Sequence, residues 1–473
     1  MKKPFLIIII VFAGLNPAVS QTIYEGDVIF DSQEEIDSFI IKYPKCTIID
    51  GSVIIREENE GDFYNVSGLK NIERITGALT IEDNRDLTSL SGLISLTYVG
   101  KGVEIENNKS LYGFPGLDAL ERIGGDLAIC NNESVTCLSG FSSLDSIYGT
   151  LSISLMPDLI SLDGLNGLSF VGNCLLIQDN PKLLDIQNLN QLKSIYGFVE
   201  ILGNSSLMSL KGLDFVTSIG SYLKIMNNSA LKDLAGLTFL RVIGENGDDL
   251  RNRLTISDNN SLITLAGMNI LRYIGGSIDI TYNPSLTKLD GFYHLDSIKG
   301  SIIIVGNDKL NNISSLSGID PNTVFSPTSS YKALEIYDNP QLSECAIRSI
   351  CHIINDDDKS KNIHDNKAGC NSIYEISDAC SVVGVMSPEA DDICNFRISP
   401  NPAKNIIYLN YDKVTVSDPG SIRVEIYSAA GEKMISLDHI QEKINISDLS
   451  QGLYLIKFIT AQRTVTRKII VAR

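Results

Sequence analysis

Residues 275–291 read GGSIDITYNPSLTKLDG. Ile278 and Ile280 alternate as in a short strand, Leu286 and Leu289 follow at three-residue spacing, and Asn283-Pro284 stands between the two patterns. No single helix or strand has both periods. The stretch is one instance of many. The position of Asn283 recurs as Asn84, Asn108, Asn132, Asn180, Asn204, Asn228, Asn259, Asn307 and Asn339, with Met156 the one substitute. The step is 24 residues from Asn84 to Asn228, then 31, 24, 24 and 32. Gly291 belongs to a second column, Gly68, Gly92, Gly116, Gly140, Gly164, Gly212, Gly236 and Gly267, with Asn188 the one substitute. Self-similarity at this period identifies a repeat protein whose units stack on one another.

One unit spans Leu79 to Val99, with Leu79, Ile81, Leu87, Leu90, Leu93, Leu96 and Val99 apolar. The pair two apart predicts a short strand with one face inward, and the residues three apart predict one inward side chain per bend. Stacked at a strand spacing of ~4.8 Å, eleven such coils make a rod of about 50 Å. The recurring asparagine is predicted to sit inward at a corner and to bond backbone groups of neighbouring coils, forming an amide ladder. Pro157, Pro181, Pro284 and Pro340 come directly after that corner. The column glycines are expected at turns needing positive φ or close backbone approach. Asn132, Asn204 and Asn259 also head N-x-S motifs, but an inward structural role is preferred to glycosylation.

The N-terminus has Lys2 and Lys3, a short apolar run and Ala18-Val19-Ser20, the pattern of a cleaved secretory signal over residues 1–20. No later apolar run is long enough to span a bilayer, so no transmembrane segment is expected in the mature chain. Residues 21–66 are read as an N-terminal cap and first coil. Ser32-x-x-Glu35 predicts a capping box, with Ile36, Phe39, Ile40 and Tyr43 on one helical face. Residues 67–344 are the repeat array. Nine cysteines occur, and disulfides are expected in an exported chain. Cys345, Cys351, Cys370, Cys380 and Cys394 cluster after the array, which reads as a disulfide-stapled C-terminal cap over 345–380. Cys130 and Cys137 flank one corner and are candidates for a bridge. Residues 381–394 read as a linker, and after them the 24-residue beat stops. Residues 395–473 alternate apolar and polar residues between turn signals, the pattern of a small antiparallel sandwich.

These motifs carry two resemblances. The helix, the stretch YPKCTIIDGSVII (43–55) and coils such as GLDALERIGGDLAICNNESV (116–135) resemble the receptor L domain of receptor ectodomains and bacterial surface proteins, over about residues 25–380. The resemblance implies a right-handed leucine-rich β-solenoid and a binding role. It carries no growth-factor ligand across, because the array has more coils than a typical receptor module and lacks the cysteine-rich region usual after it. The tail's Pro400, Asn401 and Pro402, then Gly431, Gly452, Tyr454 and Lys468, resemble the C-terminal sorting domain of type IX secretion. That resemblance implies contact with the secretion machinery and a final place at the outer surface or in the medium. The expected fold is therefore all-β, a leucine-rich β-solenoid with an N-terminal helical cap, followed by a small antiparallel β-sandwich.

Net charge is −18, and residues 395–473 hold eleven Lys and Arg against seven Asp and Glu, which leaves −22 for residues 1–394. An acidic body repels phosphate backbones, so nucleic acid is excluded as a partner. The four histidines lie in separate segments, and no nucleophile elbow, zinc helix or phosphate loop occurs. No cofactor, metal site or catalytic residue is assigned. The outward strand positions, taken from Thr80 and Glu82 onward, offer no acid–base column of the kind a β-solenoid polysaccharide-degrading enzyme needs. They do carry Leu176, Leu202 and Met226 on successive coils and Ile303 and Val305 further on, expected as an exposed apolar docking surface for a protein or glycan. Two insertions break the register, residues 244–253 with Asp248 and Asp249, and eight residues between Asn307 and Asn339. Such loops serve as recognition elements. The sequence thus predicts an exported, non-enzymatic surface binding protein, with a polysaccharide-degrading enzyme or a purely structural envelope protein as alternatives.

Overall fold

The computed structural model describes residues 22–58, 63–245, 252–326, 332–382, 397–399, 403–410, 422–428, 432–441, 443–459 and 464–472. The segment 1–20 expected to be a signal, Asp248, Asp249, Cys394, Pro400, Asn401, Pro402 and Gly431 lie outside the described residues. The chain divides into two compact units, residues 1–383 and 384–473.

The coil at 122–144 shows how local sequence sets the path. Arg122–Ile123 is a two-residue strand, a glycine pair bends the chain, and Leu127–Cys130 is a four-residue strand. Asn131 then adopts φ 50° and turns the corner. Val135, Leu138, Phe141 and Leu144 come next at three-residue spacing and are fully buried, as are Ile123, Leu127 and Ile129. Each buried aliphatic side chain of this kind contributes about 1.5–3 kcal/mol, but only because the coils above and below cover it.

Stacking yields two parallel sheets. Short strands from Ile23–Glu25 to Ser297–Ile298 make a twelve-stranded sheet, and longer strands from Val28–Phe30 to Lys361–Asn366 make a fourteen-stranded one. Ile105, Ile129, Ile153 and Ile177 are direct register neighbours, so the isoleucine of each strand covers the next.

The corner uses a residue that the periodicity does not single out. Immediately before each ladder position the backbone is left-handed, at Asp83, Asn107, Asn131, Leu155, Asp179, Gly203, Asn227, Asp258, Tyr282, Gly306, Asp338 and Asp365. Asp, Asn and Gly tolerate that region best, and they hold all of these places but Leu155 and Tyr282. The glycine column, in turn, has two geometries. Gly116, Gly140, Gly164, Gly212, Gly236 and Gly267 have φ between +112° and +120°, whereas Gly68, Gly92, Asn188 and Gly291 lie in short 3₁₀ turns. Asn188 is tolerated because its turn does not require the left-handed region.

Helix α1, Gln33–Lys42, buries Ile36 and Phe39 at the N-terminal end, where the rings of Tyr24, Phe30, Phe39 and Tyr43 pack at centroid distances of 5.2–5.6 Å. The capping box is only half formed. Glu35 reaches back, but to the backbone N–H of Asp31 at 2.7 Å, and the Ser32 hydroxyl makes no cap bond. At the other end, helices α2, Arg348–Ile354, and α3, Ile373–Val382, flank the strand Lys361–Asn366. Cys345 is bonded to Cys370 and Cys351 to Cys380, so one bridge joins the two helices directly. The bridge considered between Cys130 and Cys137 is absent, and both thiols are free. Cys130 comes after inward Ile129 and so points outward from one side, while Cys137 precedes inward Leu138 on the next side. Outward side chains diverge across a convex corner. Cys46 and Cys174 are free and buried. No helix among the described residues is long and apolar enough to cross a membrane.

In the tail, Arg397–Ser399, Ile406–Asn410 and Lys443–Asn445 form one antiparallel sheet. Lys433–Leu437, Arg423–Ser428, Gly452–Ile459 and Thr464–Val471 form a second, in that order. Ile407, Leu409, Val424, Ile426, Ile456 and Phe458 belong to the shared core.

Candidate functional site

The asparagine slot is internal throughout. Asn204 Oδ1 accepts the backbone and side-chain N–H groups of Asn180 at 3.2 and 3.1 Å, while Asn204 Nδ2 donates to the carbonyls of Ile177 and Leu202 at 2.8 and 3.0 Å. The same bonds link Asn84, Asn108 and Asn132, and then Asn228, Asn259, Asn283, Asn307 and Asn339. All of these asparagines are fully buried, so their amide groups serve neighbouring coils and none faces a ligand. Two features escape the sequence pattern. The ladder runs one coil further, with Asn339 bonded to Asn366 Oδ1 at 3.0 Å. At Met156 the side-chain link is broken, and the backbone N–H of Asn132 meets Sδ at 3.4 Å.

The outer face of the long-strand sheet has three zones. At the N-terminal end Arg56, Glu82 and Glu106 share one outward column, beside Glu104. Arg56 lies 3.8 Å from Glu82. Burial, then the charges of Glu104, Glu82 and Asp83, push the Glu106 carboxyl above its ordinary range. The expectation that no acid–base column exists is therefore corrected. It began the series at Thr80 and left out Arg56, one coil earlier. Around the adjoining corner a groove of about 550 Å³ is lined by Glu57, Glu58, Asp83, Arg85, Asn107, Lys109, Asn131 and Glu133. Asn131 donates to Asn107 at 2.7 Å and Asn107 to Asp83 at 3.0 Å, a second and shallower amide series. Among the described residues no group of His, Cys, Asp and Glu is placed to hold a metal ion.

The middle zone holds Leu176, Leu202 and Met226, each half-buried. They do not form one column. Leu202 and Met226 are register neighbours, but Leu176 pairs with Glu200, and Gln178 pairs with Leu202. Leu176 occupies the second residue of its strand and Leu202 the fourth, so they lie on a diagonal. Crossing it is a polar network in which Glu200 accepts from Gln178 at 2.7 Å, Tyr222 at 3.0 Å and Lys224 at 3.0 Å. Lys224 also lies 4.7 Å from the Tyr222 ring, which stacks on Phe198 at 4.5 Å.

The third zone overturns an expectation. Ile303 is 9% and Val305 2% exposed, and on the strand two coils earlier Thr255 and Ser257 are similarly covered. These are outward positions by alternation, yet the strands Leu254–Ser257 and Ile302–Val305 are buried on both faces. They offer no free apolar patch. Between them Asp279 has an Oδ1 with no hydrogen-bond partner among the described residues. Burial pushes its carboxyl up, against the pull of Arg253.

In the tail Gly452 opens a strand, and Tyr454 is 4% exposed with its hydroxyl donating to the Ser450 carbonyl at 3.0 Å, so it is an internal brace. Lys468 pairs in register with Leu455. On the opposite face of that sheet Glu425, which the motif reading passed over, is 3% exposed and accepts from Lys433 at 2.7 Å and Tyr427 at 2.6 Å. Those two bonds hold its carboxyl below the ordinary range.

Residues 45–113 match the family model of the receptor L domain, and residues 397–472 match that of the secretion system C-terminal sorting domain. Comparison with curated proteins gives no match. The first match ends just past the second asparagine corner, Asn108, but continuous strand pairing carries the same coil geometry on to Asn366. The chain thus carries a receptor L domain match within a longer stack of coils and, after it, a secretion system C-terminal sorting domain, which indicates type IX secretion to the cell surface or the medium.

Proposed function

We propose that the solenoid is a non-enzymatic binding module, displayed outside the cell, and that its protein or glycan ligand docks on the long-strand sheet around Leu176, Leu202 and Met226. The observation that carries this reading is the pairing of half-exposed apolar side chains with the Glu200 network on a stacked parallel sheet. A rigid face of this kind orders few side chains on binding, which keeps the entropic cost of association low. Binding of the full chain to glycan arrays and to candidate surface proteins tests it. Leu202→Ser with Met226→Ser should weaken the captured ligand at least about tenfold. Undiminished binding would exclude this face.

A second reading is favoured by one observation. The raised Glu106 carboxyl stands beside Glu82, which has Arg56 on its other side, and near a polar groove, an arrangement suited to a general acid acting on a polysaccharide. Turnover in a polysaccharide panel that disappears in Glu106→Gln would establish that reading in place of ours. A purely structural role remains if neither ligand nor substrate is found.

A further inference from the structure

A two-layer sandwich buries the facing sides of its sheets and leaves the outer sides to water, so outward positions should be polar. In the tail's four-stranded sheet the inner side obeys this rule, with Val424, Ile426, Tyr454, Ile456, Phe458 and Ile469 at most 4% exposed. The outer side does not. Leu453 and Ile470 are direct cross-strand partners, 45% and 47% exposed, and no other described element of the tail packs over them. Leu455 continues the apolar row on the same strand.

The other end of this outer face is cationic. Lys433 lies 2.7 Å and Arg423 3.5 Å from Glu425, and Lys457 lies 4.7 Å from the Tyr427 ring. Two of these cations share the Glu425 carboxylate and the third lies against the Tyr427 ring, so the four charges sum to net positive. The Lys433 and Arg423 side chains are about half exposed, with Glu425 shielded beneath them. Apolar anchors beside cations held by a buried carboxylate make a preorganised, two-part surface.

We propose that this outer face is the surface by which the secretion machinery grips the tail, its acceptor being a protein groove with an apolar floor for Leu453 and Ile470 and an acidic rim for Lys457, Lys433 and Arg423. The assignment rests on the tail's sorting role and adds the face that performs it. A protein is favoured over a lipid surface because two fixed cross-strand side chains fill a pocket, whereas interfacial binding calls for a long apolar stripe.

The test tracks full-length chain in the native host, measuring the fraction exported against the fraction held in the periplasm. Leu453→Ser with Ile470→Ser, and separately Lys457→Glu, should lower the exported fraction about tenfold, the cost of losing one interface anchor. Tyr408→Ser, at a 48% exposed position in the other sheet, should export normally. Unchanged melting temperatures of the purified variants would separate lost recognition from lost folding. If deletion of residues 397–472 blocks export but the outer-face variants export normally, the proposal falls and the sorting role stands. If the deletion itself exports normally, the sorting role fails and the proposal with it. Leu453-dependent co-sedimentation of purified chain with phosphatidylglycerol vesicles would assign the face to lipid and overturn the protein acceptor.

Discussion

The solenoid and the tail are both all-β, yet they constrain the chain differently. In the solenoid each strand pairs in parallel with strands one coil away, so every backbone position lies against its own equivalent. In the tail antiparallel strands of unlike sequence pair, and each position has its own surroundings. A glycine therefore carries a different burden in the two units. At Gly140 φ is +112° and an added Cβ would lie 1.9 Å from the Phe114 carbonyl oxygen one coil below. At Gly452 the nearest atom would be Tyr454 Cε2, at 3.8 Å. Gly140→Ala should cost at least about 3 kcal/mol, through left-handed strain and forced separation of the coils. Gly452→Ala should change stability by less than about 0.5 kcal/mol. Chemical denaturation of both variants checks the contrast. Equal losses would mean that stacking imposes nothing special on the glycine column.

The ladder gives the next largest expected effect. Asn204→Ala leaves the Asn180 amide groups without their acceptor and the Ile177 carbonyl without a side-chain donor, all in a dry interior. Orphaned buried groups cost about 1–3 kcal/mol, so a loss of about 3 kcal/mol is expected in the same measurement. A loss below about 1 kcal/mol would show that backbone pairing alone holds the corner.

The asparagine beat was legible because it repeats an amide where only an amide closes both neighbours. Features set by packing in space were not legible. The left-handed residue before each asparagine is masked by variety, since Asp, Asn, Gly, Leu155 and Tyr282 all occupy it. Asn366 was missed because it lies 27 residues past Asn339, beyond α2, where the leucine spacing has stopped. Arg56, the basic neighbour of the acidic first coils, was missed because the outward series began one coil late, at Thr80 and not at Ile54 and Arg56. Leu176 and Leu202 looked like one column because both are outward and apolar, and only the register puts them on a diagonal. Ile303 and Val305 are covered although alternation turns them outward, and no local pattern encodes that cover. Alternation did locate the tail's strands, but it gave Glu425 no distinction among outward residues, because its role comes from Lys433 on the neighbouring strand.

Titration sharpens the comparison, because the two units respond to acid with opposite signs. Glu425 is held below the ordinary glutamate value of about 4.3 by Lys433 and Tyr427. Its contribution is present above that value and is lost as pH falls through the lower folded one. Glu106 is raised by burial and by Glu104, Glu82 and Asp83. Its contribution is fully present below the ordinary value and is lost as pH rises through the higher folded one. In the window just above the ordinary glutamate value of about 4.3, hydrogen-exchange protection corrected for intrinsic rates should rise as pH falls in the coils around 80–106. Below that window it should fall in the strand Arg423–Ser428. Glu106→Gln should abolish the first trend and Glu425→Gln the second. A common sign in both units would contradict these assignments.

The smallest effect tests the ladder from the other side, at the one corner that lacks its amide. Asn132 sends its side-chain N–H to the Ile105 carbonyl at 2.8 Å, and Asn180 sends its own to Ile153 at 3.0 Å. The equivalent bond from residue 156 would reach Ile129, but methionine has no donor. Asn132 likewise meets a thioether, a weak acceptor, 3.9 Å from its Nδ2 where its counterparts meet an amide oxygen. Met156 is fully buried, so the coil retains its apolar contact while losing the polar one. Met156→Asn is smaller in volume, restores one donor and one acceptor, and joins Asn132 to Asn180 through a continuous series. The gain in hydrogen bonding, about 1 kcal/mol per restored pair, opposes the transfer cost of a buried methionine, about 1.5–3 kcal/mol. Those terms nearly cancel, and context decides the sign: where both neighbouring coils already present an amide, the restored bonds form without reorganisation, and a net gain of up to about 1 kcal/mol is expected. A loss greater than about 2 kcal/mol would mean that this coil has adapted around sulfur. The uniform spacing at this corner would then conceal a local repacking, and the ladder would be two separate series meeting at Met156.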